Sequence, residues 1–249
     1  MEVVRDKIAL LVGACDEVGQ AIGVRLAQKG ATVIVCDTDY ARLSILAEQI
    51  RESGGNAEAN PVDSTSSVDV KRLVGDVIKQ YGKIDILINN ADARFGKPVG
   101  DASDEEWETG IRTNLNPVFF FCREVIPKMQ AQKYGRVINI SSLDYIGWPG
   151  RSSYSAVKSA LFGLTRSLSL ETARDGVTVN CVARGDVATS EMSPELAAKI
   201  GESLPVKRIG RPDDVARAVG FFASDWSNYV TGQMFFVCGG KSAHFSMSI

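Results

Sequence analysis

Histidine is almost missing from this chain of 249 residues, and its single copy, His244, lies in a polar stretch near the carboxyl end. We therefore expect a surface or interface position for it and no catalytic role. The five cysteines are scattered, form no CxxC pair and total an odd number. This pattern indicates reduced thiols in a cytosolic protein and argues against a metal site.

Long apolar runs and an excess of charge of either sign are missing too. No run approaches the ~20 residues that a membrane-spanning helix needs. The first residues, MEVVRDKIALL, lack the long apolar region and cleavage site of a signal peptide. The net charge of -2 gives no surface for nucleic acid or for an anionic membrane. We expect a cytoplasmic protein with neither a membrane span nor a nucleic-acid partner.

Short apolar runs alternate with longer amphipathic stretches along the whole chain. They predict strands at 7–12, 32–36, just before Asp63, and at 84–88, 136–140, 177–182 and 234–238. Strands that are apolar throughout, each followed by a helix, predict a parallel sheet covered on both faces. Right-handed crossovers then give a doubly wound, Rossmann-type α/β fold. The length suits one such domain over 1–249.

The predicted helices include 18–29, 39–53 and 153–174, and a capping box at Ser103–Glu106 begins another. Ligands of doubly wound sheets bind outside the carboxyl ends of the strands. The stretch 184–211, between the sixth strand and the next helix, is long and mixed in composition. It is a candidate substrate lid.

The turn after the first strand carries Gly13 and Gly19, as expected where backbone N–H groups meet a pyrophosphate at a helix N-terminus. Its middle position is Glu17, and Asp16 precedes it. These acids place negative charge beside the phosphate site, or else simply face water. Asp37 ends the second strand, where a carboxylate would bind the adenosine ribose and favour NAD over NADP; a strand-end or N-cap role is the alternative.

Tyr154 and Lys158 stand four residues apart near the start of a predicted helix, which places them on one face. A nearby ammonium favours the phenolate and would bring the tyrosine pKa, normally near 10, toward the working range. The pair follows a strand that ends in Ser141-Ser142, where a hydroxyl could hold a substrate oxygen. This set predicts an alcohol/ketone redox site.

With these motifs the chain resembles the short-chain dehydrogenase/reductase family over nearly its whole length. The other matching motifs are Val62-Asp63, Asn89-Asn90-Ala91, Asn114, Ile138–Ser142, Val179-Asn180, Gly210–Ala216 and Thr231-Gly232. The resemblance implies that Tyr154 is the general acid/base, that Lys158 lowers its pKa and holds the nicotinamide ribose, and that Asn114 holds a relay water.

Further roles follow from the same resemblance. Ser142 would orient the carbonyl or alcohol, although the family's spacing from the tyrosine favours Ser141. Asp63 would contact adenine, Asn90 would line the cofactor, and Thr189 would reach the carboxamide. The resemblance also implies that the long helices near 113–132 and 153–174 pack against another subunit.

Four departures from the family's pattern concentrate around the cofactor. Val12 replaces a threonine, Glu17 and Asp92 replace glycines, and Arg184 replaces a proline. Each would crowd, loosen or recharge the groove for a dianionic dinucleotide, so NAD binding is expected to be weakened or lost. At ~1–2 kcal/mol for each uncompensated like-charge contact, the combined loss is roughly ten- to a thousandfold in affinity.

We therefore expect a subunit of an NAD-dependent dehydrogenase that oxidises a secondary alcohol, itself weak or inactive beside an active homologue. Two alternatives stay open: an active NAD-dependent alcohol/ketone oxidoreductase, in which Arg184 or Arg94 neutralises the added acids, forming a homo-oligomer, and a non-enzymatic binding module. The chain is also similar to bacterial dehydrogenases that act on hydroxyacyl-CoA intermediates of aromatic degradation, which would make an acyl-CoA the substrate.

Overall fold

The computed structural model describes residues 4–246, and of 244–246 only the backbone. The described part contains one parallel sheet in the order β3-β2-β1-β4-β5-β6-β7. The strands are β1 (Ile8–Val12), β2 (Thr32–Asp37), β3 (Asn56–Pro61), β4 (Ile86–Asn89), β5 (Gly135–Ser142), β6 (Val177–Arg184) and β7 (Met234–Val237). The predicted seven-stranded, doubly wound fold is confirmed.

Helices connect these strands and cover both faces of the sheet. They are α1 (Glu17–Gln28), α2 (Tyr40–Glu52), α3 (Ser67–Tyr81), α4 (Asp104–Asn114), α5 (Asn116–Ala131), α6 (Ser152–Thr172), α7 (Pro194–Ser203), α8 (Pro212–Ala223) and α9 (Lys241–Ser246). Two separate apolar clusters form the core. One packs α1, α2 and α8 against the sheet, and the other packs α3, α5 and α6 against the opposite face.

Local signals explain where the helices begin. Ser103 forms the predicted capping box with Glu106 at the start of α4. The Asp16 side chain caps α1 by accepting a hydrogen bond from the Gly19 backbone N–H at 2.6 Å. An acid at this position therefore stabilises the first turn of the helix and does not simply face water.

The order of the strands places the site. β1 lies between β2 and β4, so the chain runs outward from β1 through β2 to β3 and then crosses back to β4 on the other side of β1. This reversal of the strand order opens a crevice at the carboxyl ends of β1 and β4. The loops after β1, β4, β5 and β6 all meet at this edge. They carry the residues that the sequence assigned to cofactor and substrate.

Some boundaries differ from the sequence-based prediction. β5 and β6 continue to Ser142 and Arg184, because each pairs with a neighbouring strand to its end. The stretch 184–211 contains the helix α7, which its mixed composition did not predict. The side chain of His244 lies outside the described residues. Between residues 4 and 246, none of the helices is long and apolar enough to cross a membrane.

Candidate active site and cofactor groove

Tyr154 and Lys158 lie on one face of α6, as their spacing predicts. Each residue is only 1% exposed, and the Lys158 Nζ stands 5.5 Å from the centre of the Tyr154 ring. The ring of Phe95 packs edge-on against Tyr154 at 5.9 Å. Because Tyr154 is buried, the few polar groups that contact its hydroxyl determine the pKa of the phenol.

The loop after β4 brings the carboxylate of Asp92 directly to this hydroxyl. The Asp92 side chain is 5% exposed. Tyr154 Oη donates a hydrogen bond to Asp92 Oδ1 at 2.6 Å, and Lys158 Nζ lies 3.0 Å from the same oxygen. Arg184, the last residue of β6, binds the other oxygen. One buried acid thus contacts the tyrosine, the lysine and a second cation.

These contacts set the proton affinities in the site. Burial by itself would raise the pKa of Asp92, but the charges of Lys158 and Arg184 hold that pKa well below its ordinary value. For Tyr154, burial and then the adjacent Asp92 charge raise the phenol pKa well above its ordinary value. The net shift of the Tyr154 pKa is therefore opposite to the expected lowering, because burial and the Asp92 carboxylate both favour the protonated phenol. The role of Lys158 toward Tyr154 stays a prediction.

The remaining residues of the predicted redox set are held by other partners. The Ser141 hydroxyl donates to the Lys158 carbonyl at 2.9 Å, while the Ser142 oxygen accepts from the Asp144 N–H at 3.2 Å. The Asn114 side chain bonds the backbone of Ala93 in both directions, at 2.9 and 3.1 Å. Within residues 4–246, neither serine is hydrogen-bonded to Tyr154, so the choice between them stays a prediction.

The glycine-rich turn after β1 keeps its backbone geometry. Gly13 has φ of 75°, and a Cβ there would lie 2.6 Å from the Asn90 carbonyl, so a side chain is excluded on two counts. The Asn90 amide donates to the Gly13 carbonyl at 2.8 Å and to Asp16 Oδ1 at 2.9 Å. This network ties the loops after β1 and β4 together.

The adenosine side of the groove retains groups that a ribose could use. Asp37 lines the cavity there; its Oδ2 accepts from the Cys15 N–H at 3.1 Å, and its Oδ1 accepts from the Thr38 N–H at 2.8 Å. A carboxylate has about four acceptor sites, so these two backbone bonds leave it able to accept more. Asn90 Oδ1 is buried and has no hydrogen-bond partner in the described structure. Asp63, by contrast, is exposed and accepts two hydrogen bonds from Thr65.

Glu17 faces the segment that follows β6. Its Oε1 accepts hydrogen bonds from the Ser190 backbone N–H at 3.0 Å and from the Ser190 hydroxyl at 2.8 Å. These bonds, the Ser190 N–H bond foremost, lower the pKa of the Glu17 carboxyl. Thr189, the residue assigned to the carboxamide, is the direct neighbour of this contact.

The space left between these residues is small on the cofactor side. The cavity lined by Gly13, Asp37, Asn90 and Asp92 measures about 230 Å³, below the roughly 300–1,000 Å³ of small-molecule sites. Tyr154 lines a cavity of about 360 Å³, which shares Arg94 and Phe95 with a neighbouring cavity of about 420 Å³. A cavity of about 560 Å³ between α8 and β7 lies away from the redox set.

A nicotinamide dinucleotide therefore fits one end of the groove and not the other. The unpartnered Asn90 oxygen and the Asp37 carboxylate fit an adenosine ribose. At the opposite end, Asp92 binds the Tyr154 hydroxyl and the Lys158 ammonium, the groups that the resemblance assigns to the substrate and the cofactor ribose. At the glycine-rich turn, Glu17 adds a second carboxylate.

Sequence reasoning identified Asp92 and Glu17 as departures but missed most of their partners. Ser190 stood within the predicted lid without any motif of its own. Phe95 carried no signal either. Arg184 and Arg94 were available as cations, and the structure pairs both with Asp92, Arg94 Nε at a longer 3.7 Å.

The parallel sheet, the glycine-rich turn and the Tyr154–Lys158 pair define a Rossmann-type oxidoreductase domain. The model for the family described as enoyl-(acyl carrier protein) reductase matches residues 13–242. The chain belongs to the short-chain dehydrogenase/reductase family, whose members typically bind a nicotinamide dinucleotide.

Two curated relatives come from Thauera aromatica. The chain is 44% identical to (2S)-[(R)-hydroxy(phenyl)methyl]succinyl-CoA dehydrogenase subunit BbsC, covering 98% of this chain and 97% of the relative. It is 34% identical to subunit BbsD, covering 96% and 98%. Among solved structures, it is similar to a single-residue variant of actinorhodin polyketide ketoreductase with NADPH, with a TM-score of 0.90 and 32% identity over 94% of this chain and 97% of that one. The expected resemblance to dehydrogenases of hydroxyacyl-CoA compounds is confirmed.

Proposed function

We propose that this chain is the non-catalytic subunit of a heteromeric short-chain dehydrogenase. Its partner is an active homologous subunit that oxidises the secondary alcohol of a hydroxyacyl-CoA to a ketone with NAD. Two relatives, BbsC and BbsD, are named as subunits of one dehydrogenase. This chain is more similar to BbsC than to BbsD, which supports a role for this chain as one of two different subunits.

The observation that carries the proposal is the contact between Asp92 and Tyr154. To oxidise an alcohol, the tyrosine must accept a proton, which requires a phenolate near neutral pH. Here the phenol keeps its proton and donates a hydrogen bond to a buried carboxylate at 2.6 Å, and its pKa is raised rather than lowered. Lys158 is bound to the same acid. The chain's general base is therefore held in its inactive protonation state.

The exposed faces of α5 and α6 support a role as half of an interface. Phe119 is 46% exposed on α5, and the Arg123 guanidinium lies over the rings of Phe119 and Phe120 at 5.7 and 5.4 Å. Aromatic and arginine side chains are enriched in interfaces between proteins. The family resemblance implies that these two helices pack against another subunit, and a subunit without turnover can still supply that surface.

The substrate class comes from the relatives, whose names specify an acyl-CoA with a phenyl group. The cavities beside Tyr154 support this class, because Phe95 and Trp148 offer aromatic surface and Arg94 offers a cation. The NAD preference of the enzyme rests, for this chain, on Asp37, whose charge would repel the extra phosphate of NADP.

The test has two arms. Calorimetry of NAD with the isolated chain is expected to give no binding in the micromolar range, whereas the active homologue binds. Co-expression of the tagged chain with that homologue is expected to give a stable complex, in which Tyr154→Phe in this chain leaves kcat unchanged and the same change in the partner abolishes it. Micromolar NAD binding, or equal loss of kcat from either tyrosine, would overturn the proposal.

A second function has one observation in its favour. Arg184 binds Asp92 directly, so the acid's charge is compensated inside the protein and need not repel a dinucleotide. This arrangement favours an active NAD-dependent oxidoreductase that forms a homo-oligomer. Turnover of an alcohol by the purified chain alone, lost in Tyr154→Phe, would decide for that function.

A further inference from the structure

The segment between β6 and α8 is attached to the dinucleotide groove at two places, both through carboxylates. Asp92 binds Arg184 at the start of the segment. Glu17 binds Ser190 six residues later, through the backbone N–H and the hydroxyl. Both acids stand where the family has glycine, so both attachments depend on the departures from the family's pattern.

The contact with Glu17 attaches the stretch 189–193 to the start of α1. Within residues 4–246, the stretch 189–193 makes no other hydrogen bond to a residue outside 184–211. The neighbouring bonds stay inside the segment: the Met192 N–H donates to the Thr189 carbonyl, and the Ala188 N–H donates to the Gly210 carbonyl. Loss of the Glu17 carboxylate would therefore release this stretch without breaking the rest of the segment.

The position of Glu17 relates its contact with Ser190 to the cofactor site. It is the first residue of α1, at the glycine-rich turn where a dinucleotide phosphate would meet the helix N-terminus. A carboxylate here carries the charge that the helix N-terminus favours. It also accepts charge-assisted hydrogen bonds, which are stronger than neutral ones.

We propose that Glu17 fastens the segment 184–211 to the glycine-rich turn in place of a bound dinucleotide, so that this subunit holds the segment there without a cofactor. This inference rests on the proposed function, because it explains how a subunit without NAD holds this segment in place. Glu17 is a positioning residue in this arrangement. It holds Ser190, and through it the stretch 189–193, without touching a substrate.

Hydrogen exchange measured by mass spectrometry tests this on the full chain. In Glu17→Ala, amides of 189–193 are expected to exchange about five- to fiftyfold faster than in the wild type, since their link to the domain is gone, whereas the Ala188 amide keeps its bond to the Gly210 carbonyl and is expected to be unchanged. Glu17→Gln keeps an acceptor without the charge and is expected to lie between the two. Ser190→Ala, which keeps the backbone bond, is also expected to have an intermediate effect.

Glu191→Gln is the matched control. Glu191 is an exposed acid next to Ser190, and no hydrogen bond or ion pair involves it in the described structure. Its exchange pattern is expected to equal that of the wild type. Millimolar NAD is expected to leave exchange in wild-type 189–193 unchanged, because Glu17 already holds this stretch.

Equal exchange in Glu17→Ala and the wild type would overturn the inference, and so would slowing of wild-type exchange by NAD. If Glu17→Ala does not fold, as judged by circular dichroism, Glu17→Gln and Ser190→Ala decide on their own. The outcome is separable from the proposed function. The subunit arrangement stands or falls on NAD calorimetry and co-purification, whereas the fastening by Glu17 is measured at one segment of the chain.

Discussion

At the end of the groove nearest β2, the turn after β1 keeps Gly13 and the neighbouring Asp37, while the end nearest α6 has gained Asp92 and Arg184. The backbone geometry of the first end has a structural reason, since a Cβ on Gly13 would strike the Asn90 carbonyl. Neither Asp92 nor Arg184 at the second end has a positive φ, so side chains are accommodated at these positions and form an ion pair. Retained glycines in such a turn therefore report on packing and do not by themselves indicate a working cofactor site.

The electrostatics of the two ends differ in the same way. Asp37 is bonded to backbone N–H groups and keeps acceptor capacity at the cavity that it lines. The carboxylate of Asp92 is fully engaged by Tyr154, Lys158 and Arg184. The Asp37 carboxylate at the first end can therefore still bind a ligand, whereas the Asp92 carboxylate at the second end is neutralised by cations within the protein.

The largest expected effect comes from removing the acid at the second end. Asp92→Asn leaves Lys158 and Arg184 buried without their counter-charge, and breaking one partner of a buried pair costs about 3–5 kcal/mol. We expect the free energy of unfolding, measured by urea denaturation at neutral pH, to fall by that amount. Asp213→Asn removes an acid that is 48% exposed and paired with Arg217 at 2.7 Å and with Arg25 at 3.4 Å. It is expected to cost less than about 1 kcal/mol, because exposed pairs contribute little.

The pH dependence sharpens this test. Because the pKa of Asp92 is lowered in the folded state, its contribution is present above the unfolded pKa of about 3.9 and is lost as the pH falls below it. The stability gap between the wild type and Asp92→Asn should therefore narrow on acidification. A gap below about 1 kcal/mol at neutral pH would show that the buried cations are compensated by other groups.

Much of this molecule was predictable from local sequence. Apolar runs such as 136–140 define buried strands wherever they stand, and the capping box at Ser103 is complete within four residues. The ion pairs at the second end join Asp92 to α6 and to the end of β6, 66 and 92 residues further on. The raised pKa of Tyr154 depends on burial and on that non-local acid, so spacing from Lys158 alone gave the wrong direction.

Restoring the family's residues at the second end should create NAD binding. Asp92→Gly and Arg184→Pro are made together, because the two residues are coupled. A triple variant adds Glu17→Gly. We expect NAD affinity to rise in the double variant and further in the triple variant, by about ten- to a thousandfold over the wild type. Calorimetry measures the gain. Glu191→Gly, an acid-to-glycine change at an exposed residue that makes no hydrogen bond or ion pair in the described structure, is the control and should give none. If Glu17→Gly alone accounts for the whole gain, the phosphate end is the obstacle and the nicotinamide end is not.

Tyr154 itself reports whether Asp92 controls the second end. Since its pKa is raised, the wild-type phenol should stay protonated as the pH passes the ordinary value near 10. Protonation favours the folded state here, so this contribution is present below about pH 10 and is lost as the pH rises further. An ultraviolet difference titration against Tyr154→Phe isolates this residue among the six tyrosines. Asp92→Asn should shift the Tyr154 transition to lower pH, and an unchanged transition would assign the shift to burial alone.

The smallest expected effect belongs to the first end and can be measured once binding is restored. In the triple variant, we expect NAD to bind about tenfold more tightly than NADP, because the Asp37 carboxylate repels a phosphate on the ribose by roughly 1–2 kcal/mol. Asp37→Asn keeps an acceptor for the Cys15 N–H and should bring the two affinities together. Asp63→Asn, which alters an exposed acid assigned to adenine, should change both affinities alike and leave their ratio intact. If NAD and NADP bind equally well to the triple variant, the first end has also lost its selectivity for the cofactor. The two ends would then differ in their backbone geometry and not in their capacity to bind a ligand through charge.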